Sequence, residues 1–455
     1  MPGDIVVVVS DLHIGAGRYY DGNALEDFIS DNAFASLVGE LARESESAGR
    51  NAELVVNGDF VEFLQAPRGS SFEPGRTYPP ADYGDMSAAA SAQKLRHIVV
   101  GHPTLFAALR DWLRATAPHR RLIITKGNHD PQWHWSAVQD VLREAVGATG
   151  DRRHLLDFPA VGYSRPGLYV EHGNQYTESA NRFSNFAEPL SPADPTQLET
   201  PWGSKFVIEF FNFVEREKYW VDGVKPYAAL VWYSLKYDPV FAFRALVAIL
   251  RAAPRLLAVR DEIRDSWLTN LQTHPELAAQ RYQTDAAYRV EVNTLLSHVL
   301  EEIEPAVRVR AALAPAEDPR HFAVEMEKEQ DSALAQAALR FSQAQAASVV
   351  LFGHTHRPLS LALSNGARYL NTGCWVWQMD LASASDNQWR ELFANPAPYA
   401  AYRRLNYARV DYDASGVPSA QLLEHQPAQP IDLPPKKLNW LERLIEWIKK
   451  LFGIG

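Results

Sequence analysis

Short apolar runs that stop abruptly at polar clusters mark the first part of the chain and return near its end. They are "DIVVVVSDLH", "ELVVNGD", "RLIITKGNHD", "GLYVEHG" and "SVVLFGHTH". Each is rich in β-branched residues and too short for an ordinary helix, so each is predicted to be a buried strand. Helical periodicity fills the intervals between the first four, for example Asn32–Ala48 and Lys94–Ala115. Strands alternating with helices predict an α/β fold, a sheet covered by helices. Polar residues at the strand ends fit the rule that open α/β sheets bind ligands there.

The pattern then changes. From about residue 181 to 345 the strand signal fades, and "KFVIEFFNFVEREKYW", "ALVAILRAAPRLLAVRDEI" and "AYRVEVNTLLSHVLEEI" carry helical spacing. The expected organisation is an α/β domain in two parts, 1–180 and 346–425, interrupted by a helical cap over 181–345. The second part runs through "RYLNTGCWVW" and "LNYARVDYD". Over 426–455 a Pro-rich linker leads into a C-terminal amphipathic helix.

Composition narrows the function classes. The 455 residues are 46% hydrophobic and 22% charged, ordinary globular values. The net charge of −10 argues against a broad grip on nucleic acid. Cys374 is the single cysteine, which rules out an intrachain disulfide and fits a reducing, cytoplasmic setting. The N-terminal run lacks a basic leader and a cleavage site, so it is expected to be a first strand rather than a signal peptide. No apolar stretch is long enough to predict a transmembrane helix. In the tail, Leu438, Leu441, Leu444, Ile445, Ile448, Leu451 and Phe452 follow helical spacing, Trp440 and Trp447 widen the apolar face, and Lys436, Lys437, Arg443, Lys449 and Lys450 outnumber Glu442 and Glu446. Such a helix over 436–455 suits an anionic membrane surface at the inner face of the membrane; docking on the protein's own body or on a second copy is the alternative.

Five strand ends carry the candidate chemistry: Asp11 and His13; Asp59 after Gly58, with Glu62 following; Asn128, His129 and Asp130; His172; and His354 with His356. Alone, each reads as a turn with an Asx hydrogen bond and a surface histidine. All five in order, each closing a predicted strand, are hard to assign to chance. Imidazole, carboxylate and amide oxygen together suit borderline divalent metals, Mn²⁺ first, with Fe, Zn²⁺ and Co²⁺ as alternatives. A thiolate-rich zinc site is excluded, because Cys374 is the only sulfur of that kind. Two such metals about 3.5–4 Å apart can clamp an in-line phosphoryl displacement and acidify a water. His354 and His356, two apart, would point to opposite faces of a regular strand, so one shared ion is not the obvious outcome.

The set D-x-H, G-D-x-x-E, G-N-H-D, H-G and G-H-T-H resembles the calcineurin-like metallophosphoesterases, over roughly 4–178 and 346–412. The later "LNTGCW" is similar to a strand of that family. The resemblance implies a four-layer αββα sandwich of two facing mixed sheets flanked by helices. It also implies two divalent metal ions. Asp11, His13, Asp59 and His356 would hold the first; Asp59, Asn128, His172 and His354 the second, with Asp59 as bridge. His129 would be the catalytic histidine at the leaving oxygen, and Glu62 a carboxylate that orients it. The implied activity is hydrolysis of a phosphate ester or pyrophosphate by metal-bound hydroxide.

Other residues are less distinctive. His134 is a candidate for the substrate, against ordinary packing with Trp133 and Trp135. Arg182 and Arg357 could hold a phosphate, since guanidinium matches its oxygens. His97, His102, His119, His154, His274, His298, His321 and His425 are expected to be surface or packing residues. "GDFVEF" and "GHTHRP" look similar to the bacterial branch that cleaves the pyrophosphate of a UDP-diacylglucosamine lipid precursor. The chain departs from that branch at His129, where arginine is usual there, and in its longer insertion. "YAALVWYSLKYDPVFAFRALVAIL" either buries its own core or caps the metal site with an apolar pocket. The expected partner is therefore a phosphorylated small-molecule or lipid substrate. The alternatives are a soluble phosphodiesterase or phosphatase acting on nucleotides or phosphoproteins, a nuclease, and a metal-stabilised binding scaffold without catalysis.

Overall fold

The structure, a computed structural model, describes residues 3–177, 179–225, 227–252, 274–303, 319–381, 384–400 and 403–427. The amphipathic helix expected over 436–455 lies outside the described residues.

All five apolar runs are strands. In chain order the strands are β1 (Ile5–Val9), β2 (Ala52–Asn57), β3 (Arg120–Thr125), β4 (Leu156–Asp157), β5 (Tyr163–Arg165), β6 (Leu168–Val170), β7 (Val224–Lys225), β8 (Val349–Phe352), β9 (Pro358–Ala362), β10 (Arg368–Thr372), β11 (Met379–Asp380), β12 (Asn406–Tyr412) and β13 (Pro418–Glu424). The expected α/β fold is present, with two mixed sheets. The six-stranded sheet has the order β13-β12-β1-β2-β3-β4 and the five-stranded sheet β5-β6-β8-β10-β9. In the first, β1 to β4 run parallel and β12 is antiparallel to β1. In the second, β8 lies parallel between β6 and β10.

Alternation of side chains along a strand decides the layering. Ile5, Val7 and Val9 of β1, with Leu54, Val56, Leu122 and Ile124, face the helices 31–48, 88–101, 103–114 and 136–146. Their neighbours Val6, Val8, Val55 and Ile123 face the second sheet and meet Leu168, Val170, Val349, Leu351 and Leu370. On that sheet's other side Val350, Phe352 and Tyr369 pack against Leu334, Ala337 and Ala338 of the helix 319–344. Strands buried on both faces must be apolar at every position, which is why these runs are nearly continuous valine, isoleucine and leucine. Each fully buried side chain of this size contributes roughly 1.5–3 kcal/mol.

Three expectations about boundaries are corrected. The helical pattern over Lys94–Ala115 is two helices, Ala88–Gly101 and Pro103–Arg114. Pro103 has no N–H to continue the first and disfavours helical backbone at His102, so the chain turns there. The last helix of the predicted insertion, 319–344, covers the second sheet and belongs to the layered domain. Conversely, Met379, Leu381, Trp389 and Leu392, expected in the second α/β part, share the helical cap's core with Val214, Trp220, Phe243 and Leu246. The pairing of β11 with β7 joins the two segments, Met379 opposite Val224. No helix among the described residues is long and apolar enough to cross a membrane.

Candidate metal centre

The five motifs converge because the two sheets present the C-terminal ends of β1, β2, β3, β6 and β8 on one side of the molecule. Pairing outlasts the strands themselves. Past the end of β1, the amides of Asp11, His13 and Ile14 donate to the carbonyls of Gly58, Asp59 and Phe60 at 3.2, 2.9 and 3.1 Å. This fastening brings the D-x-H segment beside the G-D-x-x-E segment. Asp11, His13, Asp59, His354 and His356 all adopt left-handed backbone, with φ of 54, 47, 47, 70 and 61°. Side chains other than glycine rarely hold that conformation, and such outliers gather where the surrounding structure enforces them. It also takes His354 and His356 out of strand alternation, since β8 ends at Phe352.

The two histidines part company. His356 Nε2 lies 3.4 Å from Asp11 Oδ1 and 3.1 Å from His13 Nε2. His354 instead groups with Asp59 and His172. Asp59 Oδ2 lies 3.7 Å from His13 Nε2 and 3.2 Å from His172 Nε2. His172 Nε2 is also 3.2 Å from Asn128 Oδ1. Among the described residues three groups could hold a metal ion: Asp11, His13 and His356; His13, Asp59 and His129; and Asp59, His172 and His354. Asp59 belongs to two of them.

Several observations fit a cation here. His172 Nδ1 faces the carbonyl of Asn57 at 3.0 Å. A carbonyl only accepts, so Nδ1 carries a hydrogen and Nε2 is the nitrogen that faces the cluster. Burial works against a charged ring, but Asp59 and Asp11 lift it to about 10, so a bound metal would displace a proton from Nε2. His13 Nδ1 is held by Glu62 Oε2 at 2.9 Å, which turns its Nε2 inward in the same way. Burial opposes ionisation of Asp11 and Asp59. The surrounding imidazoles nonetheless hold Asp11 below, and Asp59 well below, the ordinary carboxylate range. The oxygens are therefore anionic and could serve as metal ligands. The backbone makes room for them: a Cβ on Gly58, itself at φ +73°, would fall 2.4 Å from His172 Nδ1, and one on Gly127 2.1 Å from Asp59 Oδ1.

His129 is tied at both ends. Its amide donates to Asp59 Oδ1 at 2.8 Å, and its Nδ1 meets Glu62 Oε2 at 2.5 Å. Glu62 is thus no surface carboxylate; it is 3% exposed and serves His13 and His129 with one oxygen. Despite its burial, the two histidines lower Glu62 to about 2. Burial works against a charged His129, but Glu62 and then Asp59 lift it to about 9. Asp130, quoted in the motif but given no role, fastens two loops together. Its carboxylate accepts from the amides of Gly127 at 2.6 Å and Phe60 at 2.8 Å and from the Trp133 indole at 2.8 Å.

The substrate candidates divide. Arg357 lines the cavity over the centre and meets Asp331 at 3.0 Å. Arg182 does not line it; its guanidinium donates to the Thr177 carbonyl. His134 does not line it either, and packs edge-on against Trp135 with ring centroids 5.2 Å apart. His102, expected to be a packing or surface residue, is buried and paired with Asp31 at 3.0 Å and Glu26 at 3.4 Å.

One cavity of about 370 Å³ joins the centre to the helical cap. His13, Asp59, Asn128, His129, His354 and His356 line one end. Trp202, Phe206, Phe210, Leu230, Leu246 and Ile249 line the other. A π-helical turn at Val207–Phe211 lies inside the aromatic helix and directs Phe210 and Phe211 to the wall. Among the polar residues of this wall that the sequence pattern missed are Asp27, Gln65, Glu215 and Asp222. They come from unrelated segments with no shared spacing, so no local signal marks them. No protein-family model matches the chain, and no curated protein matches it.

Proposed function

We propose that the protein is a dinuclear metal-dependent phosphohydrolase of the calcineurin-like metallophosphoesterase type, acting on a phosphate ester or pyrophosphate attached to a bulky apolar group. The observation that carries this reading is the shared cavity: candidate metal ligands at one end, a wall of aromatic and aliphatic side chains at the other. The layering of helices, two mixed sheets and a helix agrees with the αββα sandwich of that family. Asp11, His13, Asp59 and His356 would hold one ion, and Asp59, Asn128, His172 and His354 a second, with Mn²⁺ the first choice for such ligands.

Bound divalent ions would polarise the phosphoryl oxygens and acidify a water. The remaining work falls to the chain's own residues. Glu62 fixes the His129 ring through Nδ1, leaving Nε2 to carry a proton toward the leaving oxygen. The same carboxylate fixes His13, so the acid and one ligand share a support. Arg357 supplies a guanidinium on the cavity wall for a phosphoryl oxygen. The aromatic end excludes water and takes the apolar group.

The test is Mn²⁺-dependent hydrolysis of bis-p-nitrophenyl phosphate, p-nitrophenyl phosphate, nucleotide pyrophosphates and lipid pyrophosphates. Metal-dependent turnover, highest on apolar-tailed substrates, is expected. His129→Ala is expected to lower kcat about 10²–10⁴-fold with normal metal content, least for the p-nitrophenolate leaving group, which needs no proton. Unchanged kcat in that variant would remove His129 from the mechanism. Equal activity on small soluble esters and lipidic ones would remove the apolar assignment.

A further inference from the structure

Asp27, Gln65, Glu215 and Asp222 form a polar collar on the cavity wall. Gln65 follows Glu62 of the metal end, and Glu215 shares the helical segment of Phe211 and Val214 at the apolar end, so the collar lies where the two ends meet. The Gln65 amide donates to Glu215 Oε2 at 2.6 Å, and Asp27 and Asp222 share a hydrogen bond. Asp27 is only 5% exposed, yet its Oδ1 has no hydrogen-bond partner among the described residues. Arg403, with its guanidinium 5.3 Å over the Trp377 ring, offsets part of the Asp27 charge but does not line the cavity.

The collar therefore presents carboxyl and amide oxygens to the cavity, with an unfilled acceptor on buried Asp27. It is not arranged for one metal ion: no group of Asp27, Glu215 and Asp222 is close enough to share an ion among the described residues. A hydroxyl offers these carboxyls no charge to ionise against. A primary ammonium brings only donors, plus the opposite charge. Burial, followed by repulsion with Asp222, pushes Asp27 and Glu215 well above the ordinary carboxyl range, so the collar by itself holds them protonated and an entering ammonium would release a proton from a carboxyl to the solvent.

We infer that the collar binds the ammonium group of an amine-bearing apolar substrate, positioned between its phosphoryl group and its hydrocarbon part. The inference deepens the proposed function and rests on it only for the phosphoryl end. Titration of the full-length protein with octylammonium, octanol and octyl glucoside, followed by tryptophan fluorescence and calorimetry, tests it without any turnover. Octylammonium is expected to bind at least about tenfold more tightly than octanol, the worth of one charge-assisted hydrogen bond. Asp27→Asn combined with Asp222→Asn should bring the two affinities level. Equal affinity in the unaltered protein overturns the inference, and this comparison needs no variant to fold. Tightest binding of octyl glucoside overturns it in favour of a hydroxylated group. A preference for octylammonium that survives the double substitution also overturns it, by placing the amine elsewhere. Loss of hydrolysis with retained ammonium preference would count against the phosphohydrolase reading alone.

Discussion

The two ends of the cavity are built by opposite means. At the candidate metal end each proposed ligand sits within a few residues of a strand; Asp11, His13, Asp59, His354 and His356 are on left-handed backbone, and second groups fix the His13 and His172 rings. At the apolar end the wall is assembled from helices over 202–217, 227–237 and 239–252, plus Leu296 and Trp377 from elsewhere. Under the proposed function, bond cleavage would need sub-ångström placement, which the sheets supply, and an apolar group would need volume, which side chains on helices supply. The comparison teaches that, on that proposal, reaction class and substrate preference would be separable, and substitutions should separate them.

The largest effect is expected from Asp59→Ala, because that carboxylate faces both His13 and His172. Hydrolysis should fall by about 10³-fold or more, and elemental analysis should show lost metal. Full metal content with full activity would break the picture of a shared bridge. Glu62→Gln keeps shape but weakens the hold on His13 and His129, so kcat should drop about 10–100-fold. Its effect should resemble that of losing both orientations, with little change in KM.

At the other end, Phe210→Ala should leave kcat for p-nitrophenyl phosphate untouched. It should raise KM for an apolar-tailed substrate by roughly tenfold or more, from about 2 kcal/mol of lost burial. A matching loss on both substrates would show that the ends are not separable. The smallest effect concerns neither end. His102, between Glu26 and Asp31, is lifted to about 10 from 6.5 by those carboxylates, against the opposing effect of burial. A raised folded value means that the stabilisation is complete below pH 6.5 and fades as pH rises through about 10. His102→Gln should therefore destabilise the fold by about 1.5 kcal/mol in mildly acidic solution, and denaturant titrations should show the difference shrinking toward pH 10.

Much of the metal end was legible beforehand. A valine run that stops short of Asp11, or the run Val349–Phe352 that stops short of His354, declares both a buried strand and a polar strand end, since apolar content and termination are local properties. The break at Pro103 was also local and was passed over for the periodicity on either side. Asp130 was visible as a letter of the motif, but its hydrogen bonds cross from the β3 loop to the β2 loop and have no sequence spacing. The collar of Asp27, Gln65, Glu215 and Asp222 was illegible for the same reason. The helix 319–344 was misassigned to the cap because its apolar stripe does not say which surface covers it.

By itself, the sequence determined the strands, their polar ends and the ligand types, because alternation, β-branching and imidazole–carboxylate chemistry act over a few residues. Only the tertiary structure decided that β6 and β8 lie in a different sheet from β1 to β3, and that His354 and His356 turn to different neighbours. It likewise decided that Met379, Leu381, Trp389 and Leu392 join the helical core, and that helical residues and the candidate centre line one cavity. Those outcomes depend on which buried faces meet, and a hydrophobic face carries no label for its partner.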